Sequence, residues 1–383
     1  MSLIERVISN IKDRRQRLLD GSINSIPLPF NRFRNELPGI EQGKYILVSG
    51  ATKSGKSQLT NYLFVYNTIF YAYHNRDKIT PKIFYYALEE TPENITLRFM
   101  SYLLYTLSKS KIRISPSDLK SVDNSKPVNE EVIKLLESEE YQNILSFYEE
   151  VMHFQLSRNP TGVWKDMKRY AEENGTTYYK DTKYIDDLGE TKITKAFDYY
   201  VPNNPNEYIF IIIDHISLIE PERSLDLRQS INKLSEYLII FRNRYNYIPV
   251  VVQQQSLETT NLDAFKQNKI RPTMAGLSDS KYTGKDCNLL LGITNPYTFE
   301  LPEYQGYDIT KFKGNIRFME IVLNRDGQSN GICPLFFDGA TNFFSELPLP
   351  SDKETLNSIY TYLNNIRNKV NKLFLIFSKK KNI

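Results

Sequence analysis

The chain has 383 residues, 40% hydrophobic and 25% charged, with a formal net charge of +4, which suits one large or two ordinary globular domains with a sizeable core. No apolar run approaches the ~20 residues that span a bilayer. The charged start MSLIERVISNIKDRRQ is not a secretory signal, so a membrane partner is not expected and a cytoplasmic setting is. Cys287 and Cys333 are too few for a disulfide framework, the scattered His74, His153 and His215 have no zinc-ligand spacing, and so mild a charge permits a polyanionic partner without demanding one.

The first predicted element is an amphipathic helix. Ser2 and Glu5 stand at capping-box spacing, Ile4, Val7, Ile8, Ile11 and Leu18 fall largely on one face, and Gly21 is a stop. Such a stripe needs burial against its own core or a neighbour. From Ile26 to Leu347, strand and helix patterns alternate, which predicts an α/β fold with a largely parallel central sheet flanked by helices. The expected strands are the apolar, β-branched runs 45–49, 82–87, 208–213, 248–253, 288–293 and 318–323. Several are apolar on both faces, as strands covered on both sides are. Residues 176–207 are polar, Tyr-rich and without clear periodicity, and read as a surface insertion. The chain closes on a helix in which Leu356, Ile359, Leu363, Ile366, Val370 and Leu373 repeat in a 3-4-3-4-3 rhythm, with Ser351 and Glu354 as its cap. That rhythm suits a coiled coil or a helix lying on its own domain. The expected division is 1–25 as a linker helix, 26–347 as the main domain, and 348–383 as a helix with a basic tail.

Between the first strand and the helix that follows, Gly50, Ala51, Thr52, Lys53, Ser54, Gly55, Lys56 and Ser57 spell G-x-x-x-x-G-K-[ST]. A chance match in a chain this long has a probability on the order of one in a hundred. Here the motif has the required context, following YILVS and opening SQLTNYLFVYNTIFY. Its glycines let backbone N–H groups face phosphate oxygens at a helix N-terminus. Lys56 is placed to reach the β- and γ-phosphates and Ser57 to ligate Mg²⁺, so ATP and Mg²⁺ are the expected cofactors. Mg²⁺ needs an acidic partner on a neighbouring strand, and YIFIIID supplies Asp214 at its tip. A carboxylate must also orient water. Glu89 and Glu90 both follow the strand KIFYYA, and position alone does not choose between them.

Several segments together resemble the C-terminal motor domain of DnaB-type replicative hexameric DNA helicases, within the RecA-like ATPase superfamily. Ala87-Leu88-Glu89-Glu90 is similar to the family's Ser-Leu-Glu-Met strand end, and so selects Glu89 as catalytic base. NPTGVWKDMKRYAEENG (159–175) resembles its Thr-Pro-x-x-Val helix, and Asp214 falls on its Ile-Asp-Tyr-Leu motif with His215 for Tyr. IPVVVQQQSLE (248–258) resembles its Val-Pro-Val-x-x-x-Ser-Gln strand, with Gln255 at the γ-phosphate-sensing position and Gln254 where Ser is usual. KIRPTMAGLSDS (269–280) resembles its Arg-Pro-x-x-x-Asp-Leu-Arg-Glu-Ser stretch, and NRDGQSNG (324–331) its Lys-Gln-Arg-Asn-Gly finger loop.

The resemblance covers roughly 26–347. It implies a homo-oligomeric ring, hexameric in the family, with ATP between subunits and Arg325 of a neighbour completing the site. It implies single-stranded DNA gripped by two loops, one carrying Arg223 and Arg228, the other Lys266, Lys269 and Arg271. It also implies separate primase and loader partners and a phage or viral origin, hence host cytoplasm. There are departures from the family: Leu323 stands where the finger loop has lysine, the N-terminal helical domain is replaced by one helix, and 176–207 has no counterpart. Two other readings use the same residues: a RecA-like DNA-binding ATPase that does not unwind, and a nucleotide-binding scaffold with little turnover.

Overall fold

The most apolar run of the chain, Glu207–Asp214, forms a strand with seven of its eight residues buried. Its side chains alternate between two cores. Tyr208, Phe210 and Ile212 join one cluster with Leu63, Tyr66, Phe99, Leu103 and Tyr148. Ile209, Ile211 and Ile213 join another with Val163, Met167, Leu234, Leu238 and Phe241. Helices therefore cover both faces of the sheet, as an uninterrupted apolar strand requires.

The computed structural model describes residues 3–185, 189–256 and 270–380, side chains at 3 and 368–380 excepted. In chain order its main strands are β1 (Ile46–Gly50), β2 (Thr80–Ala87), β3 (Met152–Phe154), β4 (Gly175–Ile185), β5 (Thr191–Pro202), β6 (Glu207–Asp214), β7 (Ile248–Gln254), β8 (Leu289–Thr294), β9 (Ile316–Asn324), β10 (Ile332–Asp338) and β11 (Phe343–Glu346). Nine of them form one sheet in the order β11-β10-β9-β8-β1-β7-β6-β2-β3. It is parallel from β8 through β3 and antiparallel from β8 to β11. All six expected strands are present.

β1 lies inside the sheet between β8 and β7, so the loop leaving its C-terminal end sits above the sheet, where open α/β sheets bind ligands. The helix after that loop runs through Lys56–Thr60, a π-helical stretch Asn61–Tyr66, and Asn67–Tyr73. Its whole π-helical stretch is buried, with Leu63, Phe64, Val65 and Tyr66 all about 1% exposed or less.

The Tyr-rich segment contributes β4 and β5, a separate two-stranded antiparallel ribbon. At its base the Tyr200 hydroxyl donates to Ala171 O at 3.1 Å, and next to it Tyr178 and Tyr199 stack on each other at 4.5 Å. Farther out, Arg244 stacks on Phe197 at 4.8 Å, and residues 180–185 and 191–195 are exposed.

The N-terminal helix, Leu3–Leu19, is fixed at its C-terminal half by Arg14–Glu41 at 2.8 Å and by Arg17, which donates to Ile23 O and to Asn206 at 3.0 Å each. Its apolar stripe stays exposed, with Ile4 at 71% and Ile11 at 62%. Ser2 lies outside the described residues. The C-terminal helix, Lys353–Lys380, buries Leu356 and Leu363 against Ile309, Phe312 and Phe318 of its own domain. Its cap is Asp352, whose carboxylate accepts from Thr355 N at 3.1 Å. The expected Ser351 stands one residue too early for that bond.

Candidate nucleotide site

The loop Gly50–Ser57 keeps its shape through backbone demands that only glycine meets. A Cβ on Gly50 would lie 2.5 Å from Ile293 O on β8, and Gly55 has φ +100° where the helix begins. Ser54 N donates to Ala51 O at 3.2 Å, and Leu59 N to Gly55 O at 2.9 Å. Lys56 Nζ donates to Ala51 O at 3.0 Å, so the amine lies along the loop. Burial lowers the Lys56 pKa, while Asp214 and Glu89 oppose that shift.

Ser57 and Asp214 are 157 positions apart in the chain and meet at the tips of neighbouring elements. The Ser57 hydroxyl donates to Asp214 Oδ1 at 2.9 Å. The Tyr85 hydroxyl lies 2.9 Å from Asp214 Oδ2 and 3.0 Å from Asn61 Oδ1, which fixes the other carboxylate oxygen from below. Burial pushes the Asp214 pKa up to about 6, against the opposing bonds from Ser57 and Tyr85. A dication would offset that desolvation. One hydroxyl and one carboxylate, with the other positions left to phosphates and water, suit Mg²⁺. Among the described residues no group of three or more His, Cys, Asp or Glu side chains could hold a metal unaided.

Glu89 and Glu90 have different surroundings. Glu90 forms a double bond pair with Arg98, at 2.7 and 2.9 Å. Glu89 follows Leu88, whose N–H donates to Asp214 O at 3.0 Å. Its carboxylate is half exposed, 3.9 Å from His215 Nε2, and its charge acts on Lys56 and Asp214. His215 is itself held below the usual histidine range by burial.

Side-chain alternation along β7 separates the three glutamines. The Gln255 amide is fully engaged, donating to Ser49 Oγ at 2.8 Å and Thr273 O at 3.1 Å and accepting from Thr273 N at 3.2 Å. Gln254 reaches the phosphate loop by its side chain, donating to Thr52 Oγ1 at 2.5 Å, and Gln255 by its backbone, its N–H donating to Gly50 O at 3.0 Å. Pattern alone could have found this, since residues 253 and 255 share a face and 254 points away from it.

Arg325 follows β9, at the edge of the sheet opposite the phosphate loop. In the register, Leu289 pairs with Asn324 and with Ile46, the first residue of β1, so the length of β1, about 13 Å, separates Arg325 from its own loop. Its guanidinium donates to Cys287 O at 2.9 Å and to Lys285 O.

Of the residues expected on DNA, Arg223 and Arg228 are exposed. The acids beside them are paired elsewhere: Glu220 with Arg158 at 3.0 Å, and Glu222 with Lys233 and with Thr161 N at 2.6 Å. Lys266 and Lys269 lie outside the described residues. Arg271 is tied to the buried Glu320 of β9, at 3.2 Å.

Burial pushes the Glu320 pKa up to about 7 despite Arg271 and Tyr304. A carboxyl whose folded pKa is raised takes up a proton on folding, so stability falls as pH rises from about 4.5 through about 7. Glu320→Gln is expected to remove that decline. By pH 8 it should gain on the wild type, relative to pH 4.5, by an amount on the order of 2–3 kcal/mol. Melting curves across this range check it; parallel curves for the two proteins would refute it.

Solved structures share this fold, two of them over most of this chain. One, described as an ATPase domain, superposes with a TM-score of 0.58 at 14% identity, covering 91% of this chain and 99% of that one. The other, a DnaB-like replicative helicase described with its interactions with primase, gives 0.59 at 14% identity over 91% of this chain and 67% of its own. No family model and no curated protein sequence matches. At that identity the likeness is one of architecture, and it coincides with the sheet order and the loop position already described. The chain therefore has the fold of that ATPase domain and of that DnaB-like helicase, a mostly parallel sheet covered by helices on both faces.

Proposed function

We propose that this chain is an ATP-driven DNA helicase motor that moves along single-stranded DNA as a ring, six-membered by analogy, and hydrolyses ATP between subunits. The observation that carries the reading is the convergence of Lys56, Ser57, Asp214 and Glu89 on one face of the phosphate loop, with Arg325 on the opposite edge of the sheet. Residues 26–347 form the motor in this reading.

The loop N–H groups and Lys56 bind the phosphates. Ser57 and Asp214 would hold Mg²⁺, which would supply positive charge against that developing on the phosphates. Glu89 accepts a proton from the attacking water, and Arg325 of the next subunit stabilises the transferring phosphoryl group. Gln254, touching Thr52, and Gln255, tied to Thr273, link the phosphate loop to the segment that follows β7. Arg223 and Arg228 supply cationic contacts to the DNA backbone, which bind without reading sequence.

The exposed stripe on the N-terminal helix suits docking on an adjacent subunit. The primase named with the DnaB-like structure suggests a primase and a loader as further partners of a cytoplasmic, phage-type replication protein. No described helix is long and apolar enough to cross a membrane.

The test is ATP turnover with and without single-stranded DNA, with oligomer mass measured on the same samples. Turnover stimulated by DNA and confined to a ring-sized species is expected. Turnover indifferent to DNA in a monomer would sink the reading. The backbone bonds of Arg325 favour a second reading, a RecA-like DNA-binding ATPase that does not unwind. Strand separation in the same reactions decides between the two.

A further inference from the structure

The phosphate loop rests on a charge that no motif announces. Arg317, the second residue of β9, is 6% exposed. Its Nε donates to Ser54 O at 2.7 Å, and its Nη1 to Gly314 O at 2.9 Å and Ile316 O at 2.7 Å. Its guanidinium lies 4.6 Å from the Phe337 ring. All of these partners are neutral. Burial alone moves its pKa, down to about 10, so it stays protonated at neutral pH. A buried charge with no counter-ion is costly, and such charges are ordinarily paired.

The position of the charge suggests what compensates it. The Ser54 carbonyl and the Gly55 N–H belong to the same peptide group. A guanidinium on the carbonyl polarises that peptide and makes the N–H a stronger donor, as bonds in a chain strengthen one another. Arg317 Nε lies 3.6 Å from where a Cβ on Gly55 would stand, directly behind the left-handed turn that opens the helix. It thus approaches the loop from β9, whereas Lys56 approaches it from the helix.

We propose that Arg317 is a positioning residue for the phosphate loop: its charge beneath the Ser54–Gly55 peptide holds the loop in its binding shape and strengthens its grip on nucleotide phosphates, whose negative charge is the counter-ion that the described residues do not supply. The inference rests on the nucleotide-site reading and adds a second cation to it.

Two substitutions separate charge from shape. Arg317→Gln removes the charge and keeps a donor for the Ser54 carbonyl; Arg317→Lys keeps the charge and loses the fork. ATP, ADP and AMP are each competed against a fluorescent ATP analogue on wild type and both variants, with melting temperatures alongside. Arg317→Gln is expected to bind ATP at least tenfold more weakly, ADP less so, and AMP nearly as wild type does, with Arg317→Lys in between. A purely structural role would weaken all three nucleotides alike, and that result overturns the proposal, as does Arg317→Gln binding ATP within twofold of wild type. Should Arg317→Gln not fold, Arg317→Lys decides: an ATP-to-AMP affinity ratio lowered threefold or more supports the proposal, and a ratio within threefold of wild type overturns it. Wild type that binds no ATP, or Lys56→Ala that binds it as well as wild type, overturns the nucleotide site and this inference together. Arg317→Gln matching wild type while Lys56→Ala fails removes only the inference.

Discussion

Glu89→Gln is expected to lower ATP turnover by about 10²–10⁴-fold, the usual contribution of a positioned general base, while ATP affinity stays within about threefold of wild type. Glu90→Gln should leave turnover within about tenfold of wild type. The two carboxylates are neighbours in sequence but not in environment. Glu90 is fastened to Arg98 by two bonds, so its charge is already neutralised and its geometry fixed. Glu89 is open to water, and its field reaches Lys56 and Asp214. Single-turnover hydrolysis, with ATP binding measured separately, checks both variants. A Glu90→Gln loss as large as that of Glu89→Gln would reverse the assignment.

Arg325→Ala is expected to cost about 10³–10⁵ in turnover, the range of a finger arginine supplied from outside the site, with ATP affinity little changed. The stronger version of the test mixes variants. Lys56→Ala destroys its own loop but keeps its arginine; Arg325→Ala does the reverse. Each alone should be nearly inactive, and a mixture should recover activity wherever an intact loop faces an intact arginine. Because the length of β1 separates Arg325 from the loop of its own chain, recovery on mixing is expected of the ring, and its absence would mean that Arg325 does not act across an interface. Cys287 and Lys285 supply the carbonyls that hold the guanidinium, so exchanging those bonds for a phosphoryl oxygen is part of what assembly must accomplish.

The central strands and the phosphate loop were legible in the sequence because each is announced locally. Long apolar runs covered on both faces carry their own signature, and the loop is eight consecutive residues. Asp214 was legible as the polar end of the most apolar run. What escaped depends on contacts between distant segments. Arg317 and Ser54 are 263 positions apart, and a lone arginine in a strand pattern reads as a surface residue. Tyr85 reads as one aromatic among several on β2, and only the fold sets its hydroxyl against Asp214. Likeness to a family motif picked out Gln255, whose N–H bonds Gly50 O and whose side chain bonds Ser49 and Thr273; that the side chain of Gln254 also touches the loop, at Thr52, is set by the fold. β11 escaped because it has only four residues, and β10 because Pro334 stands in its interior. The ribbon escaped because strands exposed on both faces have no reason to alternate apolar with polar.

That ribbon leaves the body and returns to it at one place. Thr177 and Tyr200 are cross-strand partners at its base, so the chain ends there are already as close as a tight turn would bring them. Everything beyond the next contact with the body, Phe197 on Arg244, could be shortened, lengthened or exchanged for another folded sequence without asking the nine-stranded sheet to move. The chain thus has a built-in docking port for insertions, joined to the strand that ends in Asp214 and remote from that strand's C-terminal tip. A protein with such a port can change what it carries on its outer surface while its central sheet stays the same.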